Sequence, residues 1–199
     1  MTSSHKCQCQ FAPLQLLDHR RFSERLRRIL SFIALAALLL SPGCGTPNKQ
    51  AANTARLYPA DIDRLAGVPW VGSLTYLDYK SHKHTTIDSS IEVRRTGNHP
   101  AQWEFGYGYA KEPHADSKET VTLSADGRTF DGEAVISRTA LPNGGLLFIT
   151  EADGEDDNRP ARFRFEYSIT AHECSRRKLV RFNDGSGFFE RHVYRWKRP

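Results

Sequence analysis

Residues 102–109 read Gln-Trp-Glu-Phe-Gly-Tyr-Gly-Tyr and residues 162–169 read Arg-Phe-Arg-Phe-Glu-Tyr-Ser-Ile, and these two stretches decide the fold. In the first, Trp103, Phe105, Tyr107 and Tyr109 alternate with Gln102, Glu104, Gly106 and Gly108. In the second, Phe163, Phe165, Tyr167 and Ile169 alternate with Arg162, Arg164, Glu166 and Ser168. Side chains two apart share one face of a strand, whereas a helix would scatter them around its surface. Both stretches are therefore strands with one buried and one solvated face.

Working outward, the same reading predicts strands near 69–79, 85–95, 101–110, 118–125, 128–138, 145–151, 161–170, 176–183 and 187–197. Asp126-Gly127, Asn143-Gly144-Gly145 and Asp184-Gly185-Ser186-Gly187 supply residues that reach positive φ in tight hairpins. Glu151 to Asn158 reads as a longer acidic loop. Short connections favour antiparallel neighbours in a meander. A meander of about 8–10 strands curls and closes, because closure removes exposed edges. An all-β, antiparallel up-and-down barrel is thus favoured over a two-sheet β-sandwich.

Ahead of the strands, Pro59 to Gly67 predicts a short helix, with Pro59 in its first turn, Gly67 as its stop, and Ile62 and Leu65 facing inward. Residues 45–59 are polar and unpatterned and read as a flexible tether, leaving 60–199 as the barrel domain. Residues 1–44 divide differently. Arg20 to Arg28 is positively charged, and Ile29 to Leu40 is apolar apart from Ser31. A spanning helix needs roughly 20 apolar residues, so this shorter run matches the core of a signal peptide. Residues 1–19 are long for the front of such a leader and are expected to precede the true start.

Charge and cysteines divide at the same place. Six of the 28 Lys/Arg and two of the 23 Asp/Glu precede Cys44, leaving 22 basic against 21 acidic residues after it. Of the net charge of +5, +4 thus belongs to the leader, and binding of nucleic acid has little support in the near-neutral domain. Cys7, Cys9 and Cys44 lie in the leader, so Cys174 alone falls in the domain, where it reads as a small strand residue without a disulfide partner.

Ser41-Pro42-Gly43-Cys44, following the apolar run, resembles the lipobox of bacterial lipoproteins through Gly43 and Cys44. The resemblance implies that Cys44 receives a diacylglyceryl group, becomes the first residue after cleavage, and anchors the protein in the lipid bilayer on the outer side of the cell envelope. Gly45 is not the Asp that implies retention at the inner membrane, so the outer membrane is expected where the host has one. Residues 60–199 resemble the lipocalin and fatty-acid-binding barrels, the calycins. The resemblance rests on a leading helix, the early Trp of Gly67-Val68-Pro69-Trp70, serial hairpins, and a closing strand rich in Arg and aromatics.

All three Trp, all seven Tyr and eight of eleven Phe lie after Cys44. A barrel of ~8 strands either fills its interior or holds one small ligand. The ligand reading lines a pocket with Trp70, Tyr76, Trp103, Tyr107, Phe165, Tyr167, Tyr194 and Trp196. The rival is a structural or interaction module of the envelope whose barrel is filled by those same rings. On the last strand the even positions from Phe188 to Trp196 are expected inside, with Arg191 and Arg195 solvated. Fatty-acid-binding barrels hold a carboxylate with an Arg and a Tyr two apart. Arg191 and Tyr194 are three apart and point to opposite faces.

Other candidates are weaker. His82 and His84 in a loop lack a third metal ligand, and Asp153, Glu155 and Asp157 do not have the EF-hand spacing. Gly185-Ser186-Gly187 is not a nucleophile elbow, and His172-Glu173 lacks the second His of a zinc protease. Glu104, Glu166 and Glu190 are candidates for pairing inside a barrel. No catalytic residues, metal or cofactor are assigned.

Overall fold

A computed structural model describes residues 55–198 of the protein; the predicted leader, Cys44 and residues 45–54 lie outside the described residues. Helix α1 (Pro59–Asp63) is followed by ten strands: β1 (Trp70–Asp78), β2 (Lys83–Asn98), β3 (Ala101–Gly108), β4 (Ser117–Leu123), β5 (Thr129–Phe130), β6 (Glu133–Ala140), β7 (Leu146–Asp156), β8 (Arg159–Ile169), β9 (Glu173–Phe182) and β10 (Phe189–Lys197). Each strand pairs antiparallel with the next. β10 closes on β1, with Val71 opposite Lys197 and Tyr76 opposite His192. The architecture is a closed up-and-down barrel, and the sandwich alternative is excluded.

Three local readings are corrected. The acidic stretch 151–158 is not a loop: β7 continues to Asp156, and Asp157 and Asn158, with φ of 50° and 56°, make a two-residue hairpin into β8. Glu151 and Asp153 lie on the outer face, where Arg162 and Arg164 of β8 pair with Glu151 and Arg162 also reaches Asp153. Gly154 faces inward because the Phe163 ring fills its place; a Cβ there would lie 2.4 Å from Phe163 Cε2. The strand expected over 128–138 is broken into β5 and β6 by Asp131 and Gly132, whose φ values are 53° and 79°. Finally, the β9–β10 register slips between Glu190 and His192. The slip puts Glu190 on the outer face with Arg177, while His192, Tyr194 and Trp196 stay inside.

One end of the barrel is sealed by α1 and its flanks. Leu57, Ile62 and Leu65 are buried against Trp70, Trp103 and Trp196, each almost inaccessible to solvent. Packing already involves the stretch read as tether: Ala55 lies half-buried against the core, and Leu57 N–H donates to Gly127 O at 2.9 Å. The indoles are tied to this plug: Trp70 Nε1 donates to Leu65 O and Trp103 Nε1 to Asp63 Oδ1, both at 2.9 Å. Asp61 accepts from Tyr58 N at 2.8 Å and from Arg138 Nε and Nη2 at 2.8 and 2.7 Å. Burial raises the Asp61 pKa, but these three donors outweigh it and hold the carboxyl below its usual range. Charge-assisted bonds of this bidentate kind are about twice as strong as neutral ones.

The opposite end is covered by side chains. Tyr79 OH donates to Asp156 at 2.7 Å, and Arg191 lies 4.3 Å over the Tyr79 ring while its Nη1 donates to Leu77 O. Phe189 packs edge-on to Tyr79 and tilted against Phe182. Arg191 was expected in solvent; its side chain is only 23% exposed because the bulge beside it turns the guanidinium toward Asp156. Arg195 is exposed, as expected.

Candidate functional site

The eight aromatic residues proposed as a pocket all come from positions whose alternation points into the barrel, but they divide by depth. Trp70 and Trp103 hold the plug. Trp196 stacks on Tyr194, with centroids 4.7 Å apart, and donates to Ser89 Oγ at 2.9 Å. Tyr107 lies 5.7 Å from Tyr194 and 6.3 Å from Trp196. Tyr167 stacks flat on Phe148 at 4.3 Å. Phe165 is buried beside Phe163, and Tyr76 is half-buried nearer the other end. Tyr109 and Tyr194 join hydroxyls at 2.8 Å.

At mid-height the aromatic lining is interrupted by polar groups that the sequence reading missed. Arg176 of β9 points inward, its guanidinium 5.2 Å from the Phe165 ring and 5.8 Å from that of Tyr167. Its Nη1 donates to Tyr107 Oη at 2.8 Å and lies 3.5 Å from Glu119 Oε1. Tyr107 OH donates in turn to Glu119 Oε1 at 2.8 Å. Arg176 Nε is buried and has no hydrogen-bond partner. A buried donor without an acceptor carries the full cost of leaving water, about 1–3 kcal/mol, and so marks a place where an acceptor would be stabilised.

Around this guanidinium stand several titratable groups. Glu133, the first residue of β6, accepts from Thr150 Oγ1. Burial pushes its carboxyl up to about 7, against the opposing influence of Arg176 and Thr150. Lys178, two residues along β9, sits 3.9 Å over the Phe163 ring, and among the described residues no carboxylate pairs with it. Burial lowers its pKa. His192 is held well below its usual value by burial, reinforced by the charges of Arg176, Lys178 and Arg191, so its imidazole is neutral at pH 7. Burial likewise pushes the Tyr107 phenol upward.

The signal for these residues lay in the sequence. Cys174, Arg176, Lys178, Val180 and Phe182 occupy alternate positions of β9, and the apolar members fix that face as the inner one. Three adjacent cations, Arg176-Arg177-Lys178, carry no local mark of which of them turns inward. Cys174 is buried on the strand without a disulfide, and burial pushes its thiol up to about 12.

The remaining candidates fall elsewhere. Glu104 bonds Arg94 and Lys118 on the outer surface, and Glu166 and Glu190 flank Arg177 there, so none of the three faces the interior. His82 occupies a turn with φ 53° and His84 lies on β2, both exposed. Among the described residues no three His, Cys, Asp or Glu side chains converge as metal ligands. A concavity of about 350 Å³ lies on the outer face of β7–β10, walled by Leu147, Glu166, Arg177, Glu190, Val193 and Arg195. It is outside the barrel and touches none of the predicted pocket residues.

Comparison with known proteins adds no family to this geometry: no protein-family model and no curated protein matches the chain.

Proposed function

We propose that the protein is a cell-envelope lipoprotein, anchored in the bilayer through acylated Cys44, whose barrel binds one small, partly apolar ligand without catalysing its conversion. The observation that carries the ligand reading is Arg176: a guanidinium turned inward among aromatic rings, with one buried donor that the protein's own groups leave unfilled. Tyr107, Phe165, Tyr167 and Tyr194 surround that layer, whereas Trp70, Trp103 and Trp196 serve mainly as packing toward the α1 end. Two acyl chains hold a protein at a bilayer far better than one, at ~0.8 kcal/mol per buried CH₂.

Native mass spectrometry of the full chain, extracted from membranes in mild detergent, tests the reading. A small molecule is expected to accompany the protein and to be lost from Arg176→Met. Acyl mass on the peptide beginning at Cys44, and release of Cys44→Ser into the soluble fraction, test the anchor. Repeated preparations without any accompanying molecule would favour the rival reading. In that case the closely packed rings of the α1 half are the whole interior, and the outer face of the barrel is where another envelope component is met.

A further inference from the structure

Among the described residues the large apolar side chains left exposed are Tyr58, Val68 and Val71, at 51%, 46% and 56%. All three belong to one end of the barrel. Tyr58 caps the start of α1, Val68 lies between α1 and β1, and Val71 is the second residue of β1, opposite Lys197. Single apolar groups scattered over a surface are ordinary. Here the exposed set is confined to one short segment.

That segment is also where the folded domain joins the rest of the chain. Ala55 packs against the core and Leu57 N–H donates to Gly127 O, so the chain enters at the α1 end. Residues 45–54 alone separate Ala55 from Cys44. Even fully extended, that length spans no more than about 40 Å. Charge divides along the same axis. The α1 end carries Arg56, Arg64 and Arg128, all exposed and without an ion pair among the described residues. The carboxylates beside them are occupied: Asp61 by Arg138, Asp63 by Arg95, and Asp126 by Ser124 and the Arg128 N–H of its own turn. The connections at the opposite end have the reverse balance, Glu112, Asp116, Asp157 and Asp184 against Lys80 and Lys111.

We propose that the α1 end is the face that the protein lays on an anionic bilayer, with Tyr58, Val68 and Val71 in the headgroup region and Arg56, Arg64 and Arg128 on lipid phosphates. Resting on the anchor at Cys44, the assignment adds the orientation of the barrel to it. A Tyr suits that depth, its ring among lipid and its hydroxyl in water, and the Arg138 guanidinium 5.3 Å over the Tyr58 ring holds it in place. Arg64 is likewise fixed, its Nη1 donating to Gly144 O at 2.6 Å. Exposed cations are drawn to an anionic leaflet over about a Debye length. Each contact alone is weak. For a domain already attached through a short chain they become intramolecular, at an effective concentration set by that chain.

The test uses the mature protein extracted from membranes and reconstituted in vesicles of phosphatidylcholine and phosphatidylglycerol in equal parts. A fluorophore is placed by Val68→Cys, by Val71→Cys, or at the far end by Ser186→Cys, and lipids bearing a nitroxide near the headgroup serve as quencher. β10 separates the two ends by about 26 Å, whereas interfacial groups lie only ~5–10 Å deep. Probes at 68 and 71 are expected to be quenched at least ~3-fold more strongly than the probe at 186. That difference should fall at least ~2-fold in pure phosphatidylcholine, in salt on the order of 1 M, and when Arg56→Gln, Arg64→Gln and Arg128→Gln are combined. Sites 68 and 71 are both exposed, and if one labelled variant fails to fold the other decides the point. Equal quenching at 71 and 186, or none at either in protein that floats with the vesicles, overturns the orientation and leaves the anchor standing. Shielding of the probe at 71 without quenching by lipid would place a second copy or another protein on this face and overturn it too. Quenching indifferent to lipid charge and to the three Arg substitutions overturns the phosphate contacts. Protein that does not float with vesicles at all removes the anchor, and this orientation with it.

Discussion

Replacing Glu133 by Gln isolates the cost of a carboxylate inside the barrel. Glu133 accepts from Thr150 Oγ1 and its carboxyl is held at about 7 by burial, against 4.5 for the free side chain. The folded protein therefore holds the proton more tightly than the unfolded chain does. Stability associated with that proton is fully present below about pH 4.5 and is lost as pH rises through 7. The interval of about 2.5 pH units, at ~1.4 kcal/mol per unit, gives about 3 kcal/mol. An amide keeps the acceptor oxygen for Thr150 and never ionises. The stability of Glu133→Gln minus that of the natural chain should thus rise by about 3 kcal/mol between pH 4.5 and 8, and be level above. Urea unfolding of both proteins at half-unit pH steps reads this directly. With slopes of ~1–3 kcal/mol/M, it separates the midpoints by roughly 1–3 M. Comparing the two proteins at each pH cancels the titration of His192 and of the surface carboxylates. A difference that stays constant across the range would refute the placement of Glu133 in a desolvated wall beside Arg176.

Three further outcomes are expected. Gly154→Ala should cost about 1–3 kcal/mol in thermal or urea unfolding, because its Cβ would lie 2.4 Å from the Phe163 ring; an unchanged midpoint would show that Phe163 is not fixed there. Asp61→Ala should cost about 2 kcal/mol at pH 7, since it removes the partner of Arg138 and the acceptor of Tyr58 N. Because the folded pKa of Asp61 is lowered, that difference should shrink as pH falls below about 3.8 and through the folded value. Cys174, its thiol pushed up to about 12 by burial, should resist a thiol-alkylating reagent at pH 8 in the native protein and react once denatured, as followed by mass analysis of the peptide that contains it.

The α1 plug shows how local and distant information combine. Pro59, Ile62, Leu65 and the Trp70 that follows predicted a short inward-facing element before the first strand, and the structure seats all three apolar side chains in the sealed end. What ties the element down is distant: Arg138 on Asp61, Gly127 on Leu57, and the Trp103 indole on Asp63. None of those partners is marked by any pattern near residue 60.

Alternation by itself determined most of the strands, the shared faces of Trp103–Tyr109 and Phe163–Ile169, and the meander, because the two-residue repeat and the turn residues are local properties of the chain. It named the aromatic lining but not its purpose. Tertiary structure decided three things: the closure of β10 on β1, the break between β5 and β6, and the inward turn of Arg176 and Lys178. The bulge between Glu190 and His192, which reverses the expected placement of Glu190, belongs with them. Register across strands far apart in sequence fixes each of these. A face shared by alternate residues becomes an interior, with its charges forced to find partners, only when the last strand meets the first.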